Sequence, residues 1–168
     1  MALIIEDDTG LATAEAYISV TDADTYIVNV YGTAETLWDA ATDAVKEQAL
    51  RRATNYLNQH YEFVGWRLTI TQALEWPRSN AVEQTSSFET IDGVHIRIKD
   101  ASVELALLVI NGTTLFPITT EGGNAKSIQV GPIKKEFSEK LVNREPIFHL
   151  IDNMLRYLVV SGDRIIRS

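Results

Sequence analysis

The side chains that could do chemistry are few and scattered. His60, His95 and His149 lie far apart, and none has a second metal ligand at a useful spacing. His60 and His149 fall in helical patterns, where a partly buried or surface imidazole is the ordinary case. Asp7-Asp8 and Asp22-x-Asp24 resemble paired carboxylates for acid–base work. Side chains two residues apart on a helix diverge, however, and Asp24 stands where a capping-box partner of Thr21 would. No serine is bracketed by glycines as in a nucleophile elbow. Gly122-Gly123 lacks the lysine ending of a phosphate-cradling loop and reads as a flexible turn. Cysteine is absent, which removes disulfides, thiolate metal sites and a thiol nucleophile. These residues lead us to expect no catalytic, metal or cofactor site.

One constellation remains. Arg51, Arg52, Arg67 and Arg78 lie among Tyr61, Trp66 and Trp76. Bases interleaved with aromatics can form a stacking platform for single-stranded nucleic acid, with Arg51, Arg52, Trp66 and Trp76 as its contacts. Tryptophans near a helix end serve more often as core or interface anchors. The charge of the chain also opposes a phosphate-gripping role, since 15 bases face 23 acids for a net −8.

The charge is unevenly placed. Residues 1–50 hold ten acids and one base, a net of −9, while residues 51–168 carry a net of +1. An acidic block can steer a basic partner, repel nucleic acid or simply keep the protein in solution.

The elements that must position these groups are mainly helical. Leu3-Ile4-Ile5 reads as an edge strand and Ala16 to Val20 as a second extended piece. Thr21 is the expected cap of a helix whose stripe is Ala23, Tyr26, Ile27, Val30 and Tyr31, closed by Gly32. Thr42 is expected to cap a second helix that turns Val45, Ala49, Ala53, Tyr56, Leu57 and His60 inward, with Lys46 off that face. Thr71 to Leu74 suggests one helical turn, ended by Trp76-Pro77. Residues 78–92 are polar and aperiodic, a surface loop. Asp100 is the expected cap of a third helix, Ala101 to Ile110, apolar nearly all round and therefore central, with Asn111-Gly112 as its stop. Ile128 to Phe137 alternates as a strand broken by Gly131-Pro132, which fits a bulge or a sharp hairpin. Pro146 opens a last helix with Ile147, Leu150, Ile151, Met154, Leu155 and Leu158 inward, stopped by Gly162.

With 168 residues and 45% hydrophobic content, the chain supports one domain. The expected architecture is mainly α, a bundle of about four helices with a small β-hairpin or strand element. Residues 1–162 form this domain and 163–168 a tail. The longest apolar run, Leu105 to Ile110, falls far short of the roughly 20 residues a membrane span needs. The acidic N-terminus is unlike an export signal.

Several segments, taken together, resemble a family of tailed-bacteriophage proteins. They are Met1 to Asp7, Thr9 to Ala12, Ala16 to Val20, Ala49 to Leu57, Gln72 to Arg78, Glu104 to Leu107 and Val130 to Ile133. The set is similar to head-to-tail connector proteins, also called adaptor or head-completion proteins, and related sequences often carry the label DnaT-like single-stranded-DNA-binding protein. The resemblance implies a helical structural protein of the virion neck without catalysis or cofactor. It implies a homo-oligomeric ring, commonly dodecameric, beneath the portal protein and above the next neck or tail protein. An extended C-terminal arm would reach the portal. Double-stranded DNA would pass through an acidic lumen without sticking.

A closed ring requires one face of each copy to meet a different face of the next. The acidic first third is expected to meet the segment 126–168, which holds eight bases against five acids. Leu3, Ile4, Ile5, Ile128, Val130, Ile133 and Phe137 are the expected inter-subunit contacts, since open strand edges are templates for pairing. Arg164, Ile165, Ile166 and Arg167 are the expected portal contact. The runner-up function is a single-stranded-DNA-binding replication accessory protein.

Overall fold

The computed structural model describes residues 2–32, 36–82, 90–116, 126–130, 133–137 and 148–160. The chain divides into two compact units, Met1–Leu115 with Phe148–Ser168, and Phe116–Ile147.

The first unit is a helical bundle. α1 (Val20–Tyr31) is capped two residues before the expected Thr21. Ser19 is the cap: its Oγ accepts the Asp22 N–H at 3.1 Å and donates to the Asp22 carboxylate at 2.6 Å. The capping spacing was therefore present in the sequence, shifted by two positions. Ala23 and Ile27 are buried, Tyr26 and Tyr31 pack on the core, and Gly32 ends the helix with φ 70°. A short α2 (Thr36–Ala40) follows and buries Trp38. Among the described residues it raises the count beyond four, to five helices with a hairpin.

α3 (Asp43–His60) buries Ala49, Leu50, Ala53, Tyr56 and Leu57. Thr42 sits at its cap position but provides only its backbone oxygen, which accepts from the Val45 and Lys46 N–H groups. The expected inward face is rotated at its start, where Val45 is exposed and Lys46 is buried. α4 (Ile96–Ile110) begins well before Asp100; His95 is its cap, accepting the Arg97 N–H on Nδ1 at 3.1 Å. Asp100 is thus an interior helix residue. The helix buries eight side chains from Ile98 to Leu107 and packs chiefly on α3, with α5, α1 and α2 around it. It ends at Asn111-Gly112.

α5 (His149–Leu155) is shorter than the periodicity suggests. Ile151, Leu155 and Leu158 are buried, Leu150 is exposed, and Val159 already pairs with Phe63 as an isolated antiparallel bridge. Pro146 and Gly162 lie outside the described residues.

Two irregular stretches complete the unit. Leu3-Ile4-Ile5 makes a single parallel bridge, Ile5 with Ala16, rather than a full strand. Residues 71–74 form no helical turn. A narrow ribbon instead pairs β1 (Trp66–Arg67) with β2 (Arg78–Ser79). Gly65 must be glycine, because its φ is 76° and a Cβ there would lie 2.6 Å from the Ser79 carbonyl oxygen.

The second unit contains β3 (Lys126–Val130) and β4 (Ile133–Phe137), an antiparallel hairpin. Gly131-Pro132, the expected break, lies outside the described residues.

Candidate interaction surfaces

The structure divides the Arg–Trp platform. Arg51 lies against two carboxylates, with Glu15 at 2.9 Å and Glu47 at 3.3 Å. The Arg51 hydrogen bond holds the Glu15 carboxyl below its usual range. Trp76 is completely buried and edges onto Phe63 with ring centroids 5.9 Å apart. Arg78 is likewise absorbed: it donates to the Val64 and Gly65 carbonyls at 2.8 Å and pairs with Glu75 at 2.6 Å. Arg52 and Trp66 are exposed, Trp66 by 67%. Two of the four expected contacts are therefore available and two belong to the fold.

The N-terminal contacts are also divided. Leu3 and Ile5 pack against the core of their own chain. Ile4 is exposed, while its carbonyl accepts from the Glu15 and Ala16 N–H groups. One side of this segment is therefore already paired within the chain. The hairpin contacts are brought together. The register pairs Val130 with Ile133, Ile128 with Lys135 and Lys126 with Phe137. Opposed residues share a face and neighbours alternate, so Ile128, Val130, Ile133 and Phe137 all fall on one face of the ribbon. Arg164, Ile165, Ile166 and Arg167 lie outside the described residues.

Part of the acidic block is internal rather than a free face. Glu6 is buried and accepts the Gly10 and Leu11 N–H groups at 2.8 and 2.9 Å. Asp8 accepts the Val94 N–H at 2.7 Å, tying the N-terminus to the start of α4. Asp7 is exposed and is held below its ordinary value by the Thr9 hydroxyl. Of the paired carboxylates, Asp22 serves the Ser19 cap, while Asp24 accepts from Trp38 Nε1 at 2.7 Å and Lys46 Nζ at 2.9 Å. Asp39 and Asp43 remain exposed.

Buried Glu104 on α4 is the polar centre of the α1 contact. The hydroxyls of Tyr26 and Tyr31 donate to it at 2.8 and 2.7 Å. Burial and this carboxylate push the Tyr26 hydroxyl well above its ordinary value. Burial, then the charge of Glu104 one turn away, raises Asp100. His60 stacks on Tyr56 at 4.8 Å. No group of three potential ligands for a metal ion occurs among the described residues, and no described helix is long and apolar enough to cross a membrane.

The sequence reading missed the apolar run Trp66, Leu68 and Ile70, all exposed, with Ile70 at 95%. Their alternation is visible in the sequence as a period of two. Val28 and Leu37 are also exposed, on α1 and α2, as is Val45 on α3, which was expected to face inward.

No curated protein and no solved structure gives a significant match to the chain. A family model does match, over residues 1–167, and its description is "Putative DnaT-like ssDNA binding protein". The match spans nearly the whole sequence, and the chain belongs to that family.

Proposed function

We propose that the protein is a structural component of a phage neck. It forms a ring at the portal vertex, connects the DNA-filled head to the tail and lets the genome pass during packaging and ejection. It works without catalysis, cofactor or metal; its partners are further copies of itself, the portal protein and the next neck or tail protein. The observation that carries the reading is what becomes of the bases and aromatics that would grip a single strand. Arg51 and Arg78 are held by carboxylates and Trp76 is in the core, in a chain of net charge −8. Such a charge favours a DNA passage that does not cling. The resemblance of the ordered segments to connector proteins supports the same reading.

A second reading, single-stranded-DNA binding in replication, is favoured by the description of the family and by exposed Trp66 beside Arg67. Titration of a fluorescent oligo-dT across a salt series separates the two. The ring reading expects negligible binding, together with assembly measured by native mass spectrometry with and without portal particles. Tight binding that weakens steeply with salt would establish the second reading in its place.

A further inference from the structure

We infer that Asn111-Gly112, at the end of α4, is a site of spontaneous covalent modification, in which Asn111 becomes aspartate or isoaspartate at a rate gated by the helix cap. The inference stands apart from both functional readings.

The chemistry comes with the stop signal of the helix. Asn111 is the C-cap of α4, and Gly112 follows it with φ 89°. A Cβ at Gly112 would meet nothing within 4 Å, so it is the backbone angle that calls for glycine there. The same missing side chain leaves the Gly112 nitrogen unshielded toward the amide before it. Asparagine is a heat-labile residue, and no other asparagine in the chain precedes a glycine. Both residues are exposed, so water and hydroxide reach them.

The reaction needs only water. The Gly112 nitrogen gives up its proton and attacks Cγ of Asn111. The new N–Cγ bond forms as the Cγ–Nδ2 bond breaks, and the amide nitrogen leaves with that proton as ammonia. Water then opens the five-membered imide. Attack at Cγ yields aspartate, and attack at the main-chain carbonyl carbon yields isoaspartate.

The closed cap opposes the first step. The Gly112 N–H donates to the Val109 carbonyl at 3.0 Å and the Thr113 N–H to the Leu108 carbonyl at 2.9 Å. These are the paired bonds with which a helix closes on a glycine. Ring closure also requires the Asn111 Cβ and the Gly112 nitrogen to lie side by side about the Cα–C bond. At the observed ψ of 6° the backbone nitrogen of Asn111 occupies that place instead. The cap must open and ψ must turn first, a local event of the kind that exposed helix ends undergo most readily. The product resists reclosure. A new carboxylate faces the negative end of the helix dipole, and isoaspartate adds a methylene to the main chain. Buried Leu115 lies only three residues beyond Gly112, so the loosening reaches an anchor of the core.

The full-length protein, native and in concentrated urea, is to be held at mildly alkaline pH. Proteolytic mass mapping follows Asn111, and isoaspartyl methyltransferase labelling counts the isoaspartate. Asn111 should be the first asparagine to convert in both, slowed in the native protein by about tenfold or more by the rarity of the open cap. Urea below the unfolding transition should speed it in step with hydrogen exchange at the Gly112 and Thr113 amides. Asn111→Gln should remove the modification, and Asn111→Asp should melt below wild type. Another asparagine converting ahead of Asn111 in the native protein would overturn the choice of site. Equal native and denatured rates would overturn the gate. A native rate that follows the globally unfolded fraction, and not exchange at the cap, would overturn modification of the folded protein. An Asn111→Asp midpoint at or above that of wild type would overturn the loosening.

Discussion

The two sides of the ribbon at residues 66–79 begin from similar residues and end in opposite environments. On the outgoing side, Trp66, Leu68 and Ile70 are exposed. On the return, Gln72, Leu74 and Trp76 are buried. Gln72 makes the return possible: its amide donates to the Leu74 and Pro77 carbonyls at 2.7 and 3.1 Å, and its carbonyl accepts the Thr69 N–H at 2.8 Å. The Trp76 backbone N–H donates to the hydroxyl of buried Tyr17, which in turn donates to Asn58. Two tryptophans ten residues apart thus have different work, one in stability and one at the surface.

The largest expected effect breaks the buried side. Trp76→Ala should cost about 3–5 kcal/mol, as truncation of a core aromatic does, and a urea unfolding curve measures it. A loss below about 1 kcal/mol would show that the return side is not part of the core. Gln72→Ala should cost about 2 kcal/mol, because the Leu74 carbonyl loses its side-chain donor and the Pro77 carbonyl keeps only the Leu68 N–H. Its unfolding midpoint in urea should fall between those of wild type and Trp76→Ala.

Between the ribbon and α4 the comparison concerns polar groups, which the ribbon buries with backbone partners and α4 with side chains. Tyr31→Phe removes one of the two hydroxyls on Glu104 and should cost about 1.5–3 kcal/mol, read as a lowered thermal midpoint. On the exposed side, Trp66→Ala should change stability by no more than about 0.5 kcal/mol. The same variant sharpens the functional choice. Under the second reading it should weaken oligo-dT binding by about 1–3 kcal/mol, and under the ring reading there is no such binding to weaken.

A small effect that depends on pH is expected at Asp100, which burial and Glu104 raise above its ordinary value of 3.8. A carboxyl whose folded value is raised binds its proton more tightly in the native state. Its penalty is absent below the unfolded value and grows as pH rises through the window up to the folded one. Asp100→Asn should therefore stabilise the protein at neutral pH, by less than about 1 kcal/mol for a half-solvated group. Thermal melts of both proteins should converge toward pH 3, apart from the change of residue itself. A gain that is equal at both pH values would place its origin outside the titration.

Local patterns carried much of the architecture. The stripe Ala49, Ala53, Tyr56 and Leu57 and the nearly all-apolar α4 were legible because a helix repeats its inward face every three to four residues. Gly32 and Gly112 marked helix ends, and both have positive φ. The alternation around Ile128 and Ile133 marked extended chain with a break, and the pairing decided for a hairpin over a bulge. Helix starts were less legible: Ser19 and Thr21 are both acceptable caps by residue type, whereas His95 caps α4 although residue preference favours Asp100. Of the candidate site, the sequence supplied the residue types, and it could not show that Arg51 meets Glu15 across 36 positions.

By itself, then, the sequence determined the helices with regular apolar repeats, an extended element around Ile128 to Phe137, the absence of thiol chemistry and the acidic balance, because periodicity and composition are local or summed quantities. The tertiary structure decided that Trp66 faces solvent while Trp76 is enclosed, that Lys46 is buried against Asp24, and that Glu6 and Asp8 serve the backbone. The reason is physical: the environment of a short irregular segment depends on which distant groups pack on it. No repeat within the segment records that choice.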